Sequence, residues 1–287
     1  MAPIFNFKNH THVMGILNVT PDSFSGDGVH THLSIDNALK QVKSFVKAGC
    51  HILDIGGEST RPGATPVSLQ EELDRVIPIT QAIHQNFDIP ISIDTTKAIV
   101  ADEAIKSGAS IINDVSGLLH DTEMVHIAAK HQCYTIIMHS SHAAAVVEKT
   151  ILGGRYLTSE INTDEDIITR ICADLRQQAN FAIESGLDPS KIILDPGIGF
   201  GKTVEQNIEI MARLNEITKL PSPILLGASR KSFIGYTVNA PVDKRLGGSL
   251  AALTIGIMKG ARIIRVHDIE ESAQAAKLID AIMNSNN

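Results

Sequence analysis

The chain has no tryptophan, and aromatic residues make up only 4% of its 287 positions, so its core must be packed from Ile, Leu, Val and Ala. Cysteine is scarce as well. The three present, Cys50, Cys133 and Cys172, form no C-x-x-C pair and no zinc-ligand spacing, which argues against a disulfide framework and a structural zinc site. Cys50 and Cys133 lie just before apolar runs and read as small buried residues, in keeping with a reducing cytosol. Positive charge is not in excess either. A formal net charge of −7 argues against a nucleic-acid surface, and any anionic ligand must be met by a local group of cations. No apolar run reaches the roughly 18 residues needed to cross a bilayer, and the leading MAPIFNFKNHTHV lacks a signal-peptide apolar region. The expectation is a soluble, cytoplasmic protein that binds neither membrane nor nucleic acid. Low-complexity tracts, linkers and internal repeats are also missing.

What is present is a rhythm. Hydrophobic residues form 43% of the chain, and eight short apolar runs (GILN, HILD, ISID, SIIN, TIIMH, IILD, PILLG and IIRVH) end abruptly at Asn18, Asp54, Asp94, Asn113, His139, Asp195, Gly227 and His267. Such runs are the mark of parallel strands buried on both faces. Between them, apolar residues recur three and four apart, which predicts helices over 34–48, 69–86, 97–107, 121–132, 163–185, 204–216, 243–259 and 270–284. Eight alternating strand and helix patterns predict a (β/α)8 TIM barrel, one domain over residues 1–287, with the polar strand ends gathered on one rim. In that fold chemistry sits on this rim, at the C-terminal ends of the strands. The long loops rich in Gly, Pro, Ser and Asp, at 19–33, 56–68, 139–162 and 228–242, follow strands and belong to the same face.

Asp94, Asn113, Asp195 and Lys231 are all expected at or just past strand ends. A buried carboxylate is costly unless it meets donors, so this group calls for a donor-rich ligand. A planar heterocycle with an exocyclic amine and a ring N–H offers two parallel donors, the geometry that suits a carboxylate. A second group, Asn18, Thr60, Arg61, Arg265 and His267, suits an anion and a metal. Strands one and eight are neighbours in a closed barrel, which brings Asn18, Arg265 and His267 together, with Arg61 reaching from the adjacent loop. Asn18 offers a hard amide oxygen to Mg2+, whose remaining positions substrate phosphates and water would fill.

The segment SRKSFIG, 229–235, follows a strand and can open a short helix whose N–H groups favour an anion. In DPGIGFGKT, Gly197 and Gly201 stand four apart, which excludes the P-loop spacing; these glycines instead let the backbone pass close to a flat ligand, with Phe200 as its wall. His139 and His142 lack a Glu or Cys partner at metal-site spacing, and His10, His12, His30 and His32 read as solvated loop residues.

The stretches GILNVTPDSFSGDG, GGESTRPGA, ISIDTTK, IINDVSG, IILDPGIGFGKT, LLGASRKSFIG and IRVHD together resemble the successive signatures of the dihydropteroate synthase family of pterin-binding barrels, over residues 14–268. The resemblance implies condensation of 6-hydroxymethyl-7,8-dihydropterin diphosphate with 4-aminobenzoate, giving 7,8-dihydropteroate and pyrophosphate through a dissociative, SN1-like path. It implies that Asp94, Asn113, Asp195 and Lys231 hold the pterin, with Met138, Phe200 and Gly227 lining its pocket. Asn18, Arg61, Arg265 and His267 would engage the diphosphate and Mg2+, with Arg61, Lys231, Arg265 and His267 catalytic. Phe24, Thr60 and Pro62 would fold over the aminobenzoate, Ser232 would receive its carboxylate, and sulfonamides would compete there. A homodimer through the late helices is also implied, and the small residues of GGSLAALTIGIMKG permit close packing.

Two departures stand out. Gly26 and Asp27 appear transposed relative to the family's first loop, so the role of that loop acid does not carry over, and the SSHAAAV after His139 replaces the family's usual continuation. An alternative reading is a pterin- or folate-binding module of the methyltransferase kind that performs no condensation. Such a module needs the acids and Asn113, but not Arg265, His267 or the S-T-R-P loop. A non-catalytic barrel leaves the polar rim unexplained.

Overall fold

The computed structural model describes residues 5–7, 10–19, 35–58, 67–140, 147–149, 155–157 and 166–285. Strand and helix alternate as β1 (His12–Asn18), α1 (Ile35–Lys47), β2 (Ile52–Gly56), α2 (Leu69–Asn86), β3 (Ile91–Asp94), α3 (Ala98–Lys106), β4 (Ile111–Asp114), α4 (Met124–His131) and β5 (Tyr134–Met138). A short antiparallel ribbon of β6 (Val147–Lys149) and β7 (Arg155–Leu157) follows. The chain continues through α5 (Ile167–Glu184), β8 (Ile192–Asp195), α6 (Val204–Ile217), β9 (Leu225–Leu226), α7 (Ser232–Val238), α8 (Leu246–Met258), β10 (Ile263–Val266) and α9 (Ile269–Asn284).

Eight strands form one parallel sheet in the order β8-β5-β4-β3-β2-β1-β10-β9. Its two edges meet through a single bridge between Leu194 and Ile224, where the Leu194 N–H donates to the Pro223 carbonyl at 3.0 Å. The result is the (β/α)8 barrel the sequence predicts. Where residues are described, each expected helix boundary lies within about three residues of the observed one, the usual latitude of such readings. The ribbon, in contrast, falls in a loop that carries no periodic pattern.

Local chemistry explains several helix starts. Thr203 and Gln206 form a reciprocal capping box on α6, while Ser68 and Asp166 accept from the third backbone N–H of α2 and α5. Strand residues alternate between two cores. Leu53, Ile55, Ile93, Ile112, Ile137 and Leu194 face the helices, whereas Met14, Ile52, Ile111, Ile136, Ile193, Leu225 and Ile263 fill the barrel interior, with Phe5 and Tyr134 beneath them. Each such side chain contributes about 1.5–3 kcal/mol by leaving water. Toward the C-terminal ends the inward positions turn polar, with buried Asp54 and Ser92 in register and Asp94, Asn113 and Asp195 at the mouth. A core does not need this layer, and its presence marks the functional end. As expected, Cys50 and Cys133 are free and buried, and Cys172 is too.

The opposite end holds a correction. His12 is no solvated loop residue: it opens β1, is buried, and packs edge-on with His10 at 4.9 Å between ring centroids, while His10 meets His51 at 4.8 Å. The strand begins before its apolar run does, and Phe5 and Phe7 cover the rings from below. Thr11 ties this corner to α9 through Asp280, its N–H and hydroxyl donating at 2.8 and 2.7 Å. Burial, and then neighbouring His10, lower the His12 pKa from 6.5 to about 4. Burial lowers that of His51 too, and its Nδ1 accepts from the Val13 N–H at 3.0 Å, a bond the protonated ring cannot make. In the folded protein both rings therefore stay neutral while the unfolded chain takes up protons. Stability should fall as pH drops from 6.5 toward 4, and thermal unfolding at pH 7 and pH 5 measures it. In His12→Leu the difference between the two pH values should shrink; an unchanged difference would remove His12 as its source.

Candidate active site

The strand register builds the mouth. Asn18 on β1 lies beside Gly56 on β2, Gly56 beside Asp94 on β3, and Asp94 beside Asn113 on β4, a continuous row at the C-terminal ends. Met138 on β5 pairs with Asp195 on β8 and extends the ring. Gly56 leaves the row open: a Cβ there would lie 3.8 Å from both the Asn18 Oδ1 and the Asp94 Oδ2. Across the mouth, a Cβ on Gly227 would sit 3.9 Å from the Asp195 Oδ2 and 4.0 Å from the Arg265 Cβ, so the backbone here also keeps the space clear.

Asp94, Asn113 and Asp195 are all buried and come together as the sequence predicts. Desolvation pushes the Asp94 pKa up to about 7, Arg265 acting against it and Asp54 adding to it. The Asp94 Oδ2 accepts from the Arg265 Nη2 at 2.7 Å, but its buried Oδ1 has no hydrogen-bond partner among the described residues. An orphaned carboxylate oxygen at a cavity mouth is an acceptor awaiting a donor. Burial raises Asp195 as well, while the Gly197 N–H donates to its Oδ1 at 2.7 Å.

Arg265 occupies a different place from the one its sequence position suggests. The residues separate into ring-reading and anion-binding sets on paper; in the barrel Arg265 joins them, its Nε donating to the Asp54 Oδ2 at 2.6 Å and its Nη2 to Asp94. Asp54 in turn accepts from the Asn113 Nδ2 at 3.3 Å on Oδ1 and 3.1 Å on Oδ2. His267 stands beside Ser229, whose Oγ lies 3.3 Å from its backbone N and 3.2 Å from its Nδ1. With that hydroxyl accepting from the backbone N–H and donating to Nδ1, the ring proton rests on Nε2.

Lys231 precedes α7, and its Nζ lies 4.1 Å over the Phe200 ring, which places cation and ring wall together. Desolvation and then Arg265 lower its pKa to about 8, with Asp195 and Asp94 opposing. Ser232 is the first residue of α7. The turn before it is stitched in place: Arg230 pairs with Asp268 through Nε at 3.0 Å and through Nη2, its N–H donates to Ser249 at 2.9 Å, and the Arg245 Nη1 donates to its carbonyl at 3.0 Å.

Sequence reasoning missed Lys202. This residue is 2% exposed, and its Nζ donates to the carbonyls of His139, Gly197 and Phe200 at 3.2, 2.9 and 3.1 Å. The apparent G-K-T phosphate signature is thus a staple and a helix cap, in agreement with the rejected P-loop. Gly197 shows how tightly the loop is drawn in: with φ +67° it takes the left-handed region, and a Cβ would fall 1.9 Å from the His139 carbonyl oxygen. His139 itself is tied to α5 through Asp174, at 3.1 Å from Nε2 to Oδ2. The root of the second loop is pinned in the same manner, with Lys97 bridging Glu58 and buried Glu72, and Arg75 donating to the Gly57 carbonyl at 2.8 Å. Phe24, Thr60, Arg61 and Pro62 lie outside the described residues, as do Gly26, Asp27, His30, His32 and His142.

For a magnesium ion the donor chemistry fits at Asn18, whose amide oxygen is a hard ligand beside the open backbone of Gly56. No three His, Cys, Asp or Glu side chains converge into a metal cage among the described residues, so such an ion would depend on substrate oxygens.

Three comparisons bear on this arrangement. Residues 14–267 match the model of the family described as pterin binding enzyme. The chain is 48% identical over 280 residues to a dihydropteroate synthase of Clostridium beijerinckii, covering 97% of each. Among solved structures it superposes on a dihydropteroate synthase from Clostridium difficile, determined in the presence of pteroic acid, with a TM-score of 0.86 at 45% identity, covering 97% of this chain and 98% of that one. It also superposes on a Xanthomonas albilineans dihydropteroate synthase with 4-aminobenzoic acid, with a TM-score of 0.84 at 33% identity, covering 96% and 94%.

Proposed function

Since this chain belongs to the pterin binding enzyme family, among the dihydropteroate synthases, we infer that it joins 6-hydroxymethyl-7,8-dihydropterin diphosphate to 4-aminobenzoate and releases pyrophosphate. The observation that carries this reading is the meeting of buried acceptors and a cation at one mouth: the buried Asp94 Oδ1 has no hydrogen-bond partner among the described residues, and Arg265 donates to the other oxygen of the same carboxylate.

Asp94, Asn113 and Asp195 would hold the amino-pyrimidine edge of the pterin, with Lys231, Phe200, Met138 and the open backbone of Gly227 around the ring. Arg265, His267 and Arg61 would hold the diphosphate. The carbon–oxygen bond breaks with its electron pair leaving on pyrophosphate, and the amine nitrogen of aminobenzoate then bonds to the pterin methylene and gives up a proton. No protein nucleophile is needed. The dihydropterin ring can carry the transient positive charge, so the work of the protein is alignment and fixed charge. Mg2+, held by Asn18 and the substrate oxygens, would supply further charge neutralisation to the leaving group. Ser232, at the start of α7, would take the aminobenzoate carboxylate, with Phe24, Thr60 and Pro62 closing over it.

The protein would act as a homodimer in the cytoplasm. Ile255 and Met258 on α8 and Leu278 and Ile282 on α9 form exposed apolar surface on adjacent helices, Met258 and Leu278 being 64% and 62% exposed. No helix among the described residues is long and apolar enough to cross a membrane.

Calorimetry tests the reading. Pterin diphosphate should bind with heat that grows when Mg2+ is added, and aminobenzoate should bind only to that complex. Aminobenzoate binding to the free chain, or tight binding of a pterin without any contribution from its diphosphate, would sink the synthase and favour the folate-carrying module.

A further inference from the structure

Asp54 lies one layer below the mouth, in register with Ile16 on β1 and Ser92 on β3, and it is 0% exposed. Packing alone does not call for a carboxylate there, since an apolar side chain of that volume fills a barrel interior at least as well. Its oxygens are instead given to two side chains from strands that do not adjoin β2. The Arg265 Nε reaches Oδ2 from β10 at 2.6 Å, and the Asn113 Nδ2 reaches both oxygens from β4 at 3.1 and 3.3 Å.

Each contact removes a freedom. An amide looks nearly the same turned end for end, and an unanchored Asn113 could offer its oxygen where a ligand needs an N–H. Only the nitrogen end can face a carboxylate, so the Oδ1 and the second N–H of Asn113 are presented in one order. The Arg265 guanidinium is gripped at Nε by Asp54 and at Nη2 by Asp94, which fixes its plane and the direction of Nη1.

We propose that Asp54 is a positioning residue that sets which ring the site accepts and, through the same carboxylate, holds Arg265 ready for the leaving group. The proposal rests on the synthase reading above. Asp54 touches neither substrate; it makes ring recognition and departure of pyrophosphate a single preassembled unit, so a ligand that is read in the wrong sense is also misaligned against the cation.

The test is Asp54→Asn, which keeps shape and turns an N–H toward one of the two partners. Two quantities are read: kcat with saturating substrates, and the ratio of dissociation constants for 6-hydroxymethylpterin diphosphate and its 2,4-dioxo (lumazine) counterpart, measured by calorimetry without turnover. Both kcat and the preference for the 2-amino ring should fall, each about tenfold or more, while the KM for aminobenzoate stays near its original value. Either quantity at its wild-type level in a folded variant overturns the proposal. Should Asp54→Asn fail to fold, Asp54→Ser, which leaves room for a bridging water, carries the same two expectations. If the wild-type chain makes no dihydropteroate, the synthase reading fails; the binding ratio still decides the role of Asp54 at Asn113.

Discussion

Arg265→Ala lowers kcat by about a thousandfold while free pterin still binds measurably. The first part follows from the loss of a fixed donor aimed at developing charge, an effect of about 10²–10³ for a single group in comparable sites. The second follows because the acceptors on β3, β4 and β8 stay where the strands put them. The pH dependence of affinity should nonetheless move upward. Arg265 is what opposes the rise in the Asp94 pKa, so without it Asp94 titrates above its present value of about 7 and is neutral at physiological pH. The carboxylate that accepts from the ring is then regained only as pH rises, so pterin affinity should increase from pH 7 toward pH 9. Asp54, fully buried and left without its cation, should also cost about 3–5 kcal/mol of stability. Steady-state kinetics, calorimetry at two pH values and thermal unfolding measure the three effects. Arg265→Lys, which keeps the charge but not the fork, should recover stability better than turnover. Wild-type kcat in the alanine variant would remove Arg265 from the leaving-group role.

Lys202→Met should produce the largest loss of stability outside the mouth. An ammonium has three donors, and all three are used on the carbonyls of His139, Gly197 and Phe200. Methionine fills a similar volume and donates nothing, so the carbonyls of His139, Gly197 and Phe200 lose the lysine at once, while that of Gly197 keeps a backbone donor, the Phe200 N–H at 3.1 Å. The cost should reach about 3–5 kcal/mol, or roughly 6–15 °C in Tm for a chain of this size. The consequence extends to the ligand. The stapled loop carries Gly199 and Phe200 against Lys231, with a Cβ at Gly199 falling 3.1 Å from the Lys231 Cδ. Pterin affinity should therefore drop with stability, although Lys202 meets no substrate. Differential scanning calorimetry with and without pterin diphosphate separates the two losses; a Tm within a degree of wild type would show that the carbonyls find other donors.

Much of this was legible in the residues, for a physical reason. A polar side chain terminating a buried apolar run has few explanations, and Asp94, Asn113, Asp195 and His267 each terminate one. Asp54 ends a run too, yet its role was hidden because β2 continues to Gly56: its place one layer down depends on barrel register, which no single run encodes. Arg265 was visible as a cation but not as a link, since its partners stand 211 and 171 residues away along the chain. Lys202 was masked by its neighbours, because glycine, lysine and threonine in series suggest phosphate while the spacing only excludes it. His12 was misread because its surroundings are polar in sequence and apolar in space, the covering rings coming from Phe5 and Phe7.

The ring of strands is riveted along seven joints and touches at one point on the eighth, between Leu194 and Ile224. Asp195 lies just past that joint on one side and Gly227 just past it on the other. A ligand gripped by both residues would span that joint and fasten the hoop by what it carries.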